Sequence, residues 1–161
     1  MKTYEAPWST SLIVISFSVT LVCLGGAFGL MLGGHRVLPL VALLPLGIVC
    51  GSALFTIRGY TLTGDAMLIH RLFWTTRLPL AGLQSAKFEP DAMRRSFRTF
   101  GNGGLFSFSG FFRNSALGAY RAFVTDPHRT VVLHFPARTV VVSPSAPEEF
   151  VEDLSTAKSV G

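Results

Sequence analysis

The chain has 161 residues, of which 14 are basic and 9 are acidic, and nearly half of its residues are apolar. The charges are distributed unevenly, because residues 1–58 carry four of them and residues 59–161 carry the other nineteen. This length admits one ordinary domain beside the apolar third, so a large multi-domain enzyme is excluded.

Two uncharged runs, 6–34 and 37–57, dominate the apolar third. A hydrocarbon core of about 30 Å needs roughly 20 helical residues, so each run is long enough to cross a bilayer. A connector of three residues forces such helices into an antiparallel hairpin with both chain ends on one side. The predicted segments are a cytoplasmic N-terminus at 1–10, transmembrane helices at 11–33 and 37–57, and an external turn at 34–36.

Basic residues indicate which side the chain ends occupy. Lys2 and Arg58 flank the two runs on the side of the ends, whereas Arg36 lies at the apex. The positive-inside rule therefore predicts a multi-pass protein of the bacterial inner membrane with both termini in the cytoplasm. Neither run carries an ionisable residue at mid-depth, which argues against transport of ions or charged substrates.

Glycines recur at intervals of four residues in both runs. This spacing leaves one helix face without side chains, which allows another membrane helix to approach closely. We predict helix packing through that face, either within the hairpin or between two copies of the chain. The residues are Gly25, Gly29 and Gly33 in the first run and Gly47 and Gly51 in the second.

Beyond residue 57 the sequence changes to short β-branched and aromatic runs separated by Gly, Pro, Asp and Asn, which is typical of strands and turns. The predicted strands are 58–62, 67–72, 74–78, 84–88, 119–125, 130–135 and 138–142. Residues 90–117 mix glycines with phenylalanines and are only partly assigned. An amphipathic helix that begins near Ser145 follows, and a tail at 156–161 ends the chain.

Several of these segments together resemble the bacterial PH-like domain families, whose members often follow a pair of membrane helices. The resemblance rests on GNGGLFSFSG at 101–110, GAYRAFVT at 118–125, VVVSP at 140–144 and PEEF at 147–150. It implies a mainly β PH-like domain at 58–155, with about seven antiparallel strands in two near-orthogonal sheets and one C-terminal helix. It does not imply a reaction, because the ligands of these families are mostly undefined.

The residues that usually perform catalysis or bind metals are sparse or scattered. No two of the four histidines have a metal-ligand spacing with Cys or carboxylate neighbours, and both cysteines lie in the apolar runs. The glycines at 101–104 are not followed by the Lys-Ser or Lys-Thr of a phosphate loop. We therefore predict a protein that is not an enzyme and that has no cofactor and no metal site.

Basic residues are the remaining feature of the water-soluble part. Residues 59–147 contain ten Lys or Arg and four Asp or Glu, a balance of +6, whereas residues 148–161 have a balance of −3. Arginine binds phosphate with two parallel hydrogen bonds, and basic groups are attracted to an anionic leaflet. The candidate contact residues for lipid headgroups or an acidic partner are Arg94, Arg95, Arg98, Arg113 and Arg121.

Two functions are consistent with these features. The first is a non-catalytic, membrane-anchored binding module that contacts a partner protein or the anionic lipid surface. The alternative is a structural subunit that assembles with another protein, or with a second copy, through the helix glycines and the aromatic segment 105–112. Solvated loop arginines that only satisfy the positive-inside rule would explain the basic cluster equally well. Nucleic acid is not an expected partner, since no nucleic-acid-binding motif is present.

Overall fold

The computed structural model describes residues 1–32 and 38–159, which form three α-helices and ten strands. The helices are α1 (Thr10–Leu32), α2 (Leu38–Leu54) and α3 (Pro147–Ser159). The first five strands are β1 (Lys2–Glu5), β2 (Ile57–Leu62), β3 (Ala66–Arg71), β4 (Thr75–Pro79) and β5 (Ser85–Phe88). The other five are β6 (Phe97–Gly103), β7 (Phe108–Asn114), β8 (Gly118–Val124), β9 (Val131–Phe135) and β10 (Arg138–Val142).

The strands form two sheets. One has four strands in the order β1-β2-β3-β4, and the other has six in the order β5-β9-β10-β8-β7-β6. All pairs are antiparallel except β8 and β10, which run parallel because the connection through β9 brings β10 back beside β8. The prediction of two sheets and a C-terminal helix is confirmed, but the predictions of about seven strands and of antiparallel pairing throughout are wrong.

The two uncharged helices pack against each other. Within the described residues, α1 alone is long and apolar enough to cross a membrane by itself, with a mean hydropathy of 2.2 over Thr10–Leu30. Helix α2 has 17 residues and contains Pro45. It ends at Leu54 rather than at 57, because the next residues turn into β2. The predicted turn at 34–36 and Gly33 lie outside the described residues.

The strand β1 precedes α1 and pairs with β2, which follows α2, so the two apolar helices are inserted between neighbouring strands of one sheet. Gly59 allows this pairing to be close, since a Cβ atom there would lie 2.7 Å from the Tyr4 carbonyl oxygen. Residues 2–5 were expected only to be part of a cytoplasmic N-terminal segment. Four residues with charges at both ends carry too little pattern to predict a strand.

The main core lies between the two sheets and under α3. Tyr4 and Tyr60 reach it from the four-stranded sheet and pack edge-on against Phe150 of α3. The hydroxyl of Tyr60 donates to the Phe123 carbonyl at 2.6 Å, which ties the sheets together. Helix α3 continues through Ser159, so it includes most of the predicted tail.

The six-stranded sheet is covered on both faces. Successive residues of β10 point to opposite faces of this sheet. Val140 and Val142 are buried in the main core, and Val141 is buried in a second cluster on the other face. Phe112 and Tyr120 belong to that second cluster, which the segment before β6 covers. This arrangement explains the continuous valine run in β10, since a strand with two buried faces does not alternate with polar residues.

We predict that Tyr4→Ala destabilises the protein by about 3 kcal/mol or more, because it removes a buried ring from the core. Thr3→Ala, in the same strand but exposed, should cost about 1 kcal/mol or less. Thermal unfolding of the full chain in detergent micelles measures both. Equal losses for the two variants would mean that β1 is not part of the core.

The contact of β1 with α3 also predicts a pH dependence. Hydrogen bonds from the Tyr4 hydroxyl and then from Lys2 lower the pKa of Asp153. A carboxyl with a lowered pKa in the folded state stabilises the fold above its ordinary pKa, and this contribution is lost as the pH falls through the folded value. Between about pH 5 and pH 2, we therefore expect the melting temperature of Asp153→Asn to fall less steeply than that of the wild type. An unchanged slope would contradict this assignment.

Candidate functional site

A cavity of about 470 Å³ lies between the end of α2 and the six-stranded sheet. This volume is within the usual range for ligand sites. Its wall combines the last turns of α2 with residues from β3, β6, β7 and β8. The lining includes Ile48, Gly51 and Ser52 of α2, Phe55 after it, and Arg71, Arg98, Phe100, Asn102, Ser109, Phe111 and Arg121.

Arg71 is the centre of this site. It is the last residue of β3 and is almost completely buried, with 8% of its surface exposed. Its guanidinium donates to the Phe55 carbonyl at 3.1 Å and to the Ser109 hydroxyl at 2.8 Å. It also lies over the rings of Phe55 and Phe123, each 5.4 Å from the guanidinium carbon. One side chain therefore joins the end of α2 to both sheets.

Among the residues that the structure describes, no acidic side chain pairs with the charge of Arg71. Burial, followed by the nearby charge of Arg121, lowers the pKa of Arg71, but an arginine guanidinium in a protein stays protonated. None of the ion pairs in the described part of the chain includes Arg71, Arg98 or Arg121. The cavity lining contains no Asp or Glu. Because a buried charge without a counter-ion is unfavourable, the site is suited to an anion.

Arg98 and Arg121 complete the basic part of the cavity. Arg121 stacks over the ring of Phe123 at 4.8 Å and over that of Phe111 at 5.6 Å. Arg98 is on β6, and its Nη1 donates to the Gly101 carbonyl at 3.1 Å. Aromatic rings position Arg121, and a main-chain carbonyl positions Arg98. Each guanidinium has five N–H donors, so further N–H groups remain available to a ligand.

The wall formed by β6 and β7 depends on two facing glycines. Gly101 pairs with Gly110, and both have a positive φ, at 104° and 153°. A Cβ at Gly110 would lie 2.2 Å from the Phe100 carbonyl oxygen, and one at Gly101 would lie 2.5 Å from the Ser109 carbonyl oxygen. The close approach of the two strands at this point therefore requires glycine in both.

The loop between β6 and β7 contacts α1 and the residue that follows α2. The N–H of Phe106 donates to the Ser16 hydroxyl of α1 at 2.9 Å, and the Phe106 ring contacts Trp8. The Ser107 hydroxyl donates to the Phe55 carbonyl at 2.9 Å. The loop that follows the glycine-rich stretch thus connects the β-rich part of the chain to the helices.

The structure brings together only part of the predicted basic cluster. Arg98 and Arg121 line the cavity. Arg94 and Arg95 lie in the segment before β6 and outside this lining, although Arg94 and Asp91 share a neighbouring pocket with Arg98. Arg113 is on β7 outside the cavity lining. A role for all five in binding stays a prediction.

Arg71 is not among the contact residues that the sequence predicts. The sequence does contain a hint that Arg71 has apolar neighbours, because Leu72, Phe73 and Trp74 follow it directly. Its partners, Phe55 and Ser109, are 16 and 38 residues away, so the sequence does not indicate that it is buried.

Three of the histidines have ordinary polar neighbours. His70 bonds to Thr61 at 2.8 Å, His134 bonds to Thr139 at 3.4 Å, and His128 contacts Asp91 at 2.7 Å. A search of the described residues gives no group of three or more His, Cys, Asp or Glu that could hold a metal ion.

We predict that Gly101→Ala and Gly110→Ala each destabilise the protein by about 2 kcal/mol or more, since each adds positive-φ strain and a clash. Gly64→Ala is the matched control, because its Cβ would meet no atom within 4 Å, and it should change the stability by less than about 0.5 kcal/mol. Thermal unfolding in detergent checks this. Normal stability of both variants would contradict the close pairing of β6 with β7.

Comparison with protein families identifies the β-rich part. A family model described as "Bacterial PH domain" matches residues 58–158, which run from β2 to the end of α3. Comparisons with curated proteins and with solved structures give no significant match. The match covers well over half of the chain and agrees with the two sheets and C-terminal helix. The chain therefore belongs to the bacterial PH domain family, and PH domains are generally non-catalytic binding modules.

Proposed function

We propose that this protein is a non-catalytic binding module anchored in the bacterial inner membrane, and that its arginine-lined cavity binds a phosphate group at the anionic leaflet. The observation that carries the proposal is the set of three arginines without an acidic partner beside the end of an apolar helix. PH domains supply the general precedent of a binding module.

The pairing of β1 with β2 supports a two-helix anchor. These strands are neighbours in one sheet, so the chain between them must return to the side of the membrane from which it left. Helix α1 is long enough to cross a bilayer, and in this proposal α2 crosses back. Lys2 and Arg58, at the two ends of this segment, support a cytoplasmic PH-like domain by the positive-inside rule.

The position of the cavity supports a ligand from the membrane surface. Phe55 follows directly after α2, and its carbonyl accepts a hydrogen bond from Arg71, so in the proposed topology the guanidinium lies where the helix leaves the bilayer. Lipid phosphates lie at this level. Arginine is the side chain best suited to phosphate, because its planar N–H groups can form two parallel bonds to the oxygens.

The chemistry of the lining favours binding over reaction. Apart from the arginines, its polar side chains are Ser52, Ser109 and Asn102. Neither serine has a base beside it, since the described lining contains no His, Cys, Asp or Glu. General acid–base chemistry at neutral pH normally uses those residue types.

The assembly alternative receives less support. Phe106 packs on Trp8, and Phe108 and Phe112 belong to the second core cluster, so much of the aromatic segment 105–112 is used inside the chain. The glycine face is open, because a Cβ at Gly25, Gly29, Gly47 or Gly51 would meet no described atom within 4 Å. Contact of the protein partner or second copy with that face stays a prediction.

The test measures which phospholipids copurify with the full chain in a mild detergent. The wild type should carry a larger anionic fraction than the bulk membrane extract. The double variant Arg98→Gln/Arg121→Gln should lose this enrichment, by roughly fivefold for each arginine if each contributes about 1 kcal/mol. Arg71 is left unchanged because its bonds also hold the fold.

Arg138→Gln is the matched control. Arg138 is exposed on β10, donates to the Pro79 carbonyl and lies outside the cavity lining. Its variant should keep the wild-type enrichment. The proposal is wrong if the wild type shows no enrichment, or if the cavity double variant behaves like the Arg138 control.

A further inference from the structure

The cavity follows α2 towards the middle of the bilayer. Its lining includes Phe55, whose carbonyl Arg71 binds, and also Ile48, seven residues earlier in the chain. At a rise of 1.5 Å per residue, this separation corresponds to roughly 10 Å along the helix axis. The cavity therefore extends from the level of the arginine to a depth where acyl chains begin.

The part of the lining that α2 contributes changes in character along this direction. The Phe55 end has Arg71, whereas the part of α2 beyond it contributes Ser52, Gly51 and the exposed side chain of Ile48. A phospholipid has the same polarity, with a charged phosphate at the interface and methylene groups below it. The direction of the cavity relative to α2 thus matches the orientation of a lipid in the leaflet.

Gly51 supplies the space for a chain. A Cβ added there would meet no atom within 4 Å, although the residue lines the cavity. Gly47, one turn earlier in the same helix, is equally open but is not part of the lining. The missing side chain at Gly51 leaves a groove on α2 that opens into the cavity.

Phe100 adds apolar surface to the same cavity. It lines the cavity, yet 75% of its surface is exposed. Phe111, its pairing partner on β7, is half exposed and also lines the cavity. Large apolar surface beside an open cavity is unfavourable in water and is suited to contact with an acyl chain.

We infer that the cavity holds one complete anionic phospholipid, with its phosphate between Arg71, Arg98 and Arg121 and an acyl chain in the groove between Gly51 and Phe100. This inference rests on the proposed function and goes further, since it assigns the ligand as a whole lipid. A free phosphate would use the arginines and leave the groove empty.

The test measures quenching of Trp74, whose ring lies 5.4 Å from that of Phe55 between centroids. Trp8→Phe leaves Trp74 as the only tryptophan of the full chain. In detergent, this protein is titrated with phosphatidylglycerol that is brominated on its acyl chains. We expect saturable quenching, and weaker, non-saturable quenching with brominated phosphatidylcholine.

Gly51→Leu should raise the half-saturating concentration of brominated phosphatidylglycerol by about tenfold or more, as expected when contact with about two methylene groups is lost. Gly47→Leu is the matched control and should stay within about twofold of the wild type, since both variants gain similar helix propensity. Inorganic phosphate, followed by its effect on the melting temperature, should bind the wild type and Gly51→Leu equally.

A second pair of variants does not alter α2. Phe100→Ala should weaken the saturable quenching by about fivefold, whereas Phe97→Ala should have little effect. Phe97 lies in the same strand and is as exposed as Phe100, but it is outside the lining.

The outcomes separate this inference from the proposed function. The inference of a bound lipid would be wrong if the wild type showed no saturable quenching. It would also be wrong if the wild type, Gly51→Leu and Phe100→Ala had equal affinity for brominated phosphatidylglycerol. The proposed function would still stand if phosphate binding and anionic enrichment depended on Arg98 and Arg121. If those arginines had no effect on either measurement, both proposals would fail.

Discussion

Arg71 is the side chain through which the apolar helices and the two sheets are connected. It lies at the end of β3, and its guanidinium bonds to the Phe55 carbonyl after α2 and to the Ser109 hydroxyl on β7. Three aromatic rings surround the guanidinium. Their π faces and the hydrogen bonds offset part of the cost of removing the charge from water. They do not neutralise its charge. A single residue thus maintains the junction and gives the cavity beside it a positive potential.

The loop between β6 and β7 makes the same connection from the other side. Phe106 binds Ser16 of α1, and Ser107 binds the carbonyl of Phe55, which also accepts from Arg71. The end of α2 is therefore held by two independent elements of the domain. A shift of the helices relative to the sheets would move the carbonyl that positions Arg71. A ligand bound at Arg71, as proposed, would therefore be linked to helix position through this shared acceptor.

Local patterns predict the parts of this fold that depend on local interactions. The strands from β8 to β10 and helix α3 follow from their turns and from the distribution of apolar residues. β6 and β7 were not assigned, because Gly101 and Gly110 break the strand pattern at the point where the two backbones are closest. The parallel register of β8 with β10 and the burial of Arg71 depend on partners that are distant in sequence. Two of the five predicted arginines belong to the cavity, since composition identifies a basic region but not the face on which each residue lies.

The insertion of α1 and α2 between β1 and β2 has a consequence for how the protein is made. β1 leaves the ribosome first, but its pairing partner is synthesised only after both helices. Until then Tyr4 has no core to enter, and the four-stranded sheet lacks an edge strand. In the proposed membrane topology, a chain that integrated only one helix would have these two strands on opposite sides of the bilayer. Completion of the sheet, and with it the burial of Tyr4 against α3, would then require an even number of crossings.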